Sequence, residues 1–110
     1  MSISTHVLDT ALGRPARHVF VRLEQVLDGQ PTVIATTTTD DDGRSGDLGG
    51  PDVSAGTYRL VFDIAAYHQA TGQTGFFPEI SVTFRLADAA EHYHVPVLVS
   101  PYTYSTYRGS

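Results

Sequence analysis

The chain of 110 residues contains no cysteine, no lysine and no asparagine. Without cysteine there can be no disulfide staple, no thiolate metal site and no thiol nucleophile. The missing lysine leaves seven basic residues, all arginine, against twelve acidic ones, for a net charge of -5. That balance (pI about 5.3) argues against nucleic acid as a partner, which would call for a basic stripe. The absence of lysine and asparagine reads as a compositional bias from which no function follows. Nor is there a run approaching the ~20 apolar residues that span a bilayer. The opening Met1-Ser2-Ile3-Ser4-Thr5-His6 lacks the basic start and apolar core of a signal peptide, so a cytoplasmic location is expected.

The composition describes a globular chain, 41% hydrophobic and 17% charged. Its length predicts a single domain over 1–110 with a core of its own. The dominant pattern has period two. Tyr58, Leu60, Phe62 and Ile64 alternate with Arg59, Val61 and Asp63, and Ile80, Val82, Phe84 and Leu86 alternate with Glu79, Ser81, Thr83 and Arg85. Successive strand side chains point to opposite faces, so each run lines a core with one face. Similar runs occur at 3–8, 18–26, 32–39, 92–99 and 102–108. Turn clusters at Asp28-Gly29-Gln30-Pro31, Asp40-Asp41-Asp42-Gly43 and Gly49-Gly50-Pro51-Asp52 separate them. This spacing predicts an antiparallel β-sandwich. The segment Ala65-Ala66-Tyr67-His68-Gln69-Ala70-Thr71-Gly72 breaks the alternation and closes on glycine, which predicts one short helix.

Parity then separates a chemical face from a core face. In the run at 92–99, Tyr93, Val95, Val97 and Val99 form the apolar set, leaving His92, His94, Pro96 and Leu98 on the other side. In the first run Ile3, Thr5 and Val7 face the core, and Ser4, His6 and Leu8 face away. In the last, Tyr102 and Tyr104 are expected in the core, with Thr103, Ser105 and Tyr107 outward. If these strands share a sheet, His6, His94 and Tyr107 lie on one outer face, a surface able to bind hydrogen-bonding ligands and move protons. Leu98 on that face suggests that another subunit covers it.

Blander readings hold for other residues. His18 and His68 read as solvated surface residues. His92-x-His94 could place two imidazoles on one metal, but no third ligand is evident nearby. Asp40-Asp41-Asp42-Gly43-Arg44 reads as an acidic hairpin turn, because a calcium loop starting at Asp40 would need an acidic twelfth residue and Asp52 falls one place late. Taken alone, Arg44 is a surface residue after that turn.

Read together, these segments resemble a known family. Ser4-Thr5-His6-Val7-Leu8-Asp9 with Gly13-Arg14-Pro15-Ala16, the turn Asp41-Asp42-Gly43-Arg44, Phe76-Phe77-Pro78-Glu79, Glu91-His92-Tyr93-His94-Val95-Pro96 and the run from Leu98 to Ser110 are similar to the transthyretin-related proteins, in order and along the whole chain. The ending Tyr107-Arg108-Gly109-Ser110 resembles the terminal tetrapeptide of the family's hydrolase branch, whereas the hormone carriers have lysine where this chain has His6 and lack that ending. The resemblance implies a transthyretin-like sandwich of about eight strands with a short helix, assembled as a homotetramer with sites between subunits. It implies hydrolysis of 5-hydroxyisourate at the N1–C6 amide bond, giving 2-oxo-4-hydroxy-4-carboxy-5-ureidoimidazoline in urate degradation. Carried over by position, it makes His6, Arg44, His94 and Ser110 catalytic. His6, Arg44 and Tyr107 would hold substrate, and His92, Arg108 and Gly109 would support them. No metal, organic cofactor, nucleic acid or membrane is implied. The competing reading is a non-catalytic carrier of a small aromatic ligand in the same inter-subunit channel.

Overall fold

The computed structural model describes residues 2–50 and 53–110, so Met1 and the Pro51-Asp52 half of one expected turn lie outside the described residues. The strands are β1 (Ser2–Asp9), β2 (Arg14–Pro15), β3 (Phe20–Leu27), β4 (Gln30–Thr38), β5 (Arg44–Leu48), β6 (Gly56–Asp63), β7 (Glu79–Leu86), β8 (His92–Ser100) and β9 (Thr103–Thr106), with helix α1 (Ile64–Ala70) between β6 and β7. One sheet runs β2-β1-β8-β9, with β5 also paired to β1, and the other runs β4-β3-β6-β7. The two form the expected sandwich, with one departure. All pairings are antiparallel except β1 with β8, which run parallel from Ser2↔His92 to Asp9↔Val99. The chain leaves the first sheet after β2 for β3 and β4, revisits it as β5, completes the second sheet with β6 and β7, and returns as β8 alongside β1 in the same direction.

The alternating residues do what their period predicts. Ile3, Val7, Val21, Leu23, Leu60, Phe62, Ile80, Leu86 and Val97 are fully buried in one cluster between the sheets. Each such side chain contributes ~1.5–3 kcal/mol of apolar burial. The β3–β4 hairpin closes on Asp28 (φ 51) and Gly29 (φ 75), the left-handed pair a two-residue turn requires. At Asp63 the strand period ends. Its carboxylate accepts from the Ala66 amide and caps α1, and Gly72 follows the helix at φ 73.

Three sequence expectations are corrected. His68 is buried, because α1 turns Ile64, Tyr67 and His68 inward at helical spacing, and its ring packs against Tyr67 and the backbone of Gly75. Tyr102 is 72% exposed in the turn before β9. Tyr104 is 37% exposed and packs edge-to-face with the Phe77 ring, on a strand that lies at the edge of its sheet.

Both buried carboxylates are matched, whereas His68 Nδ1, His68 Nε2 and Ser45 Oγ are buried without a hydrogen-bond partner among the described residues. The Asp9 carboxylate, at the buried end of β1, accepts from the Tyr67 hydroxyl (2.6 Å), Gln73 (3.0 Å) and the Ala11 and Leu12 amides, tying β1 to the helix. Burial pushes this carboxyl up, but those hydrogen bonds outweigh it and hold Asp9 below the ordinary 3.8. Burial and then Asp9 push the Tyr67 phenol well up. Glu24 in β3 is likewise held down, first by Arg22 and then by Arg59. Both carboxyls bind protons more weakly folded than unfolded. Their stabilisation is therefore complete above the ordinary carboxylate range of about 4 and is lost as pH falls through the lowered values. Tyr67→Phe should cost ~1–3 kcal/mol in denaturant unfolding, by removing a donor from a buried carboxylate. It should also move acid unfolding to higher pH, and an unchanged acid midpoint would show that the Asp9–Tyr67 bond carries no linkage.

Candidate active site

The site is set by what flanks β1. On one side His6 pairs directly with Arg44 of β5, and on the other Ser4 pairs with His94 and His6 with Pro96 of β8. Residues directly opposite across a ladder share a face. The inward set Ile3, Thr5 and Val7 is at most 1% exposed, so Ser4, His6, Arg44, His92 and His94 all stand on the outer face. The parity reading thus places both imidazoles correctly. It misses that Arg44 opens a strand of its own rather than trailing a turn.

A single turn controls two of these groups. The Asp40 carboxylate accepts from the amides of Asp42 and Arg44, both at 2.9 Å, and the Gly43 amide donates to the Asp40 carbonyl. The aspartate therefore serves the backbone, as an acidic hairpin turn would have it. The carbonyl of Asp42 lies 2.9 Å from His6 Nε2. A carbonyl only accepts, so Nε2 carries the hydrogen and Nδ1 is left for other chemistry. Gly43 sits at φ 75, its carbonyl takes the Val7 amide at 2.8 Å, and a Cβ there would stand 2.4 Å from the Val7 carbonyl oxygen. Only glycine lets the turn lie this close to β1.

His94 is half-buried in β8, with Nδ1 2.8 Å from Ser4 Oγ. Burial lowers its proton affinity below the ordinary 6.5, and the nearby charges of Arg44, His92 and His6 lower it further, while the Ser4 backbone pulls weakly the other way. Burial and the neighbouring charges thus favour the neutral form of the ring. Its Cδ2 edge is closed by Gly109, whose amide donates to the His94 carbonyl at 2.8 Å and where a Cβ would come within 2.6 Å of Cδ2. The β8–β9 register runs on from Val97↔Thr106 to His94↔Gly109, which brings Tyr107 opposite Pro96 and Arg108 opposite Val95. In backbone register Tyr107, 57% exposed, thus comes level with His6 across Pro96, and it also lines a cleft of about 250 Å³ with Val82, Phe84, Tyr93 and Arg108 on the other side of the sheet. Arg108 faces away from the histidines, its guanidinium 4.5 Å over the Tyr93 ring and 2.8 Å from Glu91. Ser110 is exposed, directly after the glycine that touches His94.

Thus His6, Arg44, His92 and His94 come together on one face, with the tail from Tyr107 to Ser110 laid beside His94, while Arg108 is turned from it. Two features escaped the sequence reading. Ser4 joins two imidazoles, and its only sequence signal is sharing the parity of His6. Gly109 was expected as a supporting residue through the resemblance, but its steric fit against the His94 ring is a contact no local pattern reveals. His6, Arg44 and His94 stand on an open sheet face, and clefts of about 690 and 480 Å³ beside α1 are lined by other residues. Among the described residues no group of His, Cys, Asp or Glu is arranged to hold a metal ion. Such a face can take a proton from water at one imidazole, return one at the other and bind an oxyanion at the guanidinium.

Residues 3–109 match the family model described as HIUase/Transthyretin family. A relative from Pseudomonas aeruginosa, 5-hydroxyisourate hydrolase, is 44% identical over 114 residues, covering 98% of this chain and 90% of its own. The solved structure of Klebsiella pneumoniae 5-hydroxyisourate hydrolase superposes with a TM-score of 0.86 at 32% identity, over 99% of this chain and 93% of that one. Sea bream transthyretin in complex with thyroxine superposes with a TM-score of 0.92, also at 32% identity, over 99% and 95%.

The Gly43 geometry is tested by comparison with Gly29, which has the same φ of 75 but nothing within 4 Å of a Cβ. Gly29→Ala should cost ~1 kcal/mol, and Gly43→Ala ~3 kcal/mol or more, because it adds a backbone clash to the same strain. Equal losses in denaturant unfolding would show that the close approach to Val7 does not matter.

Proposed function

The chain belongs to the HIUase/Transthyretin family, and from that membership and the shared face of His6, Arg44 and His94 we propose that it hydrolyses 5-hydroxyisourate, opening the six-membered ring at the N1–C6 amide bond. The observation that carries this reading is the register of β1, which puts an imidazole whose neutral form is favoured, a second imidazole and a guanidinium on one face.

His94 is the general base. Its Nδ1 is engaged by Ser4, so Nε2 takes the proton from water as the oxygen bonds to C6. Arg44 binds the C6 oxygen and stabilises the negative charge it gains, a contribution worth ~3 kcal/mol for a well-placed donor. His6, anchored through Nε2 to Asp42, donates from Nδ1 in its protonated form to the leaving N1. The C6–N1 bond then breaks and leaves a carboxylate on the product. Tyr107 positions the ring and Ser110 orients the water. Neither metal nor organic cofactor enters these steps.

The homotetramer implied by the resemblance belongs to the same proposal. The reacting groups lie on an open face with half-buried Leu8 and Leu98 beside them, so a facing subunit would enclose the substrate and exclude water. The carrier reading draws on the likeness to the thyroxine-bound transthyretin. Backbone superposition does not separate the two, but a passive carrier has no need of an anchored imidazole pair beside an arginine.

Freshly generated 5-hydroxyisourate, followed by its ultraviolet decay, decides between them. Hydrolysis well above the spontaneous rate is expected, and a decay no faster than buffer would favour the carrier. His6→Ala and His94→Ala should each lose at least ~100-fold in turnover, and Arg44→Lys should be crippled because an ammonium cannot make the forked contact. On the acid side the midpoint of the fall in kcat/KM should lie below the ordinary 6.5 of a histidine, as the depressed His94 becomes protonated. A near-normal rate in either histidine variant would reject the assigned pair.

A further inference from the structure

Ser4 Oγ lies 2.8 Å from His94 Nδ1 and 3.1 Å from His92 Nε2, and the two rings stack with centroids 6.4 Å apart and planes inclined by 15°. A hydroxyl owns one hydrogen, so it can donate to only one of the two nitrogens and must accept from the other. The bridge is therefore polar, and its direction fixes where each imidazole carries its proton. It can run from His94 to His92 or the reverse, and each direction presents a different Nε2 on His94. In the first, Nε2 is a bare lone pair able to accept a proton. In the second, the neutral ring holds its hydrogen on Nε2 and cannot act as a base.

We propose that Ser4 is a positioning residue that sets the tautomer of His94, through the chain His94 Nδ1–H to Ser4 Oγ and Ser4 O–H to His92 Nε2. This rests on the reading of His94 as the base. Three features of the fold support it. Ser4 pairs directly with His94 in the parallel register, which fixes the hydroxyl against Nδ1. Gly109 closes the Cδ2 edge of the same ring, so the imidazole is held from two sides. His92 supplies the terminal acceptor, which gives this residue a role in the reaction that the overall family match does not explain. The charged and titratable groups around His94 are His6 on β1, Arg44 on β5 and His92 on its own strand, and on the β9 side Tyr107 comes level with Pro96. When His94 takes the proton from water, the imidazolium keeps its Nδ1–H on Ser4, and no further transfer is needed until that proton returns to solvent. A supporting hydrogen bond of this kind is worth ~10–100-fold by analogy with the outer partners of metal-bound histidines.

Imidazole nitrogen NMR on the resting assembly reads the tautomer without any turnover. His94 should show a protonated Nδ1 and a bare Nε2 above its titration, and the opposite pattern in the wild-type protein would overturn the proposal. Ser4→Ala should mix the tautomers, shift the acid limb of the pH profile and lower kcat ~10–100-fold at little-changed KM, while Ser4→Thr, which keeps a hydroxyl, should restore all three. His92→Gln keeps an acceptor and should preserve the His94 tautomer, whereas His92→Phe should lose it. These variants change β8 rather than β1, so they carry the test if Ser4→Ala does not fold. An unchanged His94 tautomer and pH profile in both Ser4→Ala and His92→Phe would overturn the relay. Loss of the parent reading shows separately, as full activity in His94→Ala.

Discussion

Everything chemical in this protein depends on the two-sided pairing of β1. Its antiparallel neighbour β5 brings Arg44 directly beside His6, and its parallel neighbour β8 brings His94 directly beside Ser4. Because side chains alternate strictly along a strand, a slip of one residue on either side would send the guanidinium or the imidazole into the core. The register is therefore held by the burial of Ile3, Val7, Tyr93, Val95 and Val97 on the other face. The packing that stabilises the sandwich is the same packing that aligns the proposed reacting groups.

Local devices refine what the register sets. The Asp40 turn binds two backbone amides, lies against Val7 through Gly43 and hands one carbonyl to His6. Two residues beyond Val7, Asp9 gathers donors from the helix and the loop after it, anchoring the strand where it leaves the sheet. Two aspartates thus serve structure around the second half of β1, while the proposed functional charge, Arg44, is left exposed.

Much of this was legible in the sequence, for physical reasons. Period two exposed the major strands, and parity placed His6 and His94 on the outer face. A closing glycine located the helix to within a residue or two. What stayed hidden depended on contacts between distant segments. Strand β5, Arg44-Ser45-Gly46-Asp47-Leu48, lacks apolar alternation and is specified by its neighbour β1 rather than by its own residues. The parallel pairing of β1 and β8 leaves no local trace. His68 looked solvated because a helix, unlike a strand, buries consecutive residues at its inner edge. Tyr102 and Tyr104 followed the alternation faithfully, yet one lies in the turn before β9 and the other on an edge strand, and neither position is enclosed. The site itself was named through the family resemblance, and the geometry supplies what the resemblance leaves out, namely the hydrogen on His6 Nε2 and the hydroxyl between His92 and His94.

The same backbone superposes on a hormone carrier and on a hydrolase, so the fold alone does not determine the activity. The account stands on a handful of side chains converging on one small molecule. The most direct measurement is a crystal structure of the assembled protein with a non-hydrolysable oxidised-purine analogue. The account predicts one analogue ring within hydrogen-bond reach of both His94 Nε2 and the Arg44 guanidinium, with His6 Nδ1 turned toward a ring nitrogen. An analogue seated away from that face, or imidazoles directed into separate environments, would contradict it.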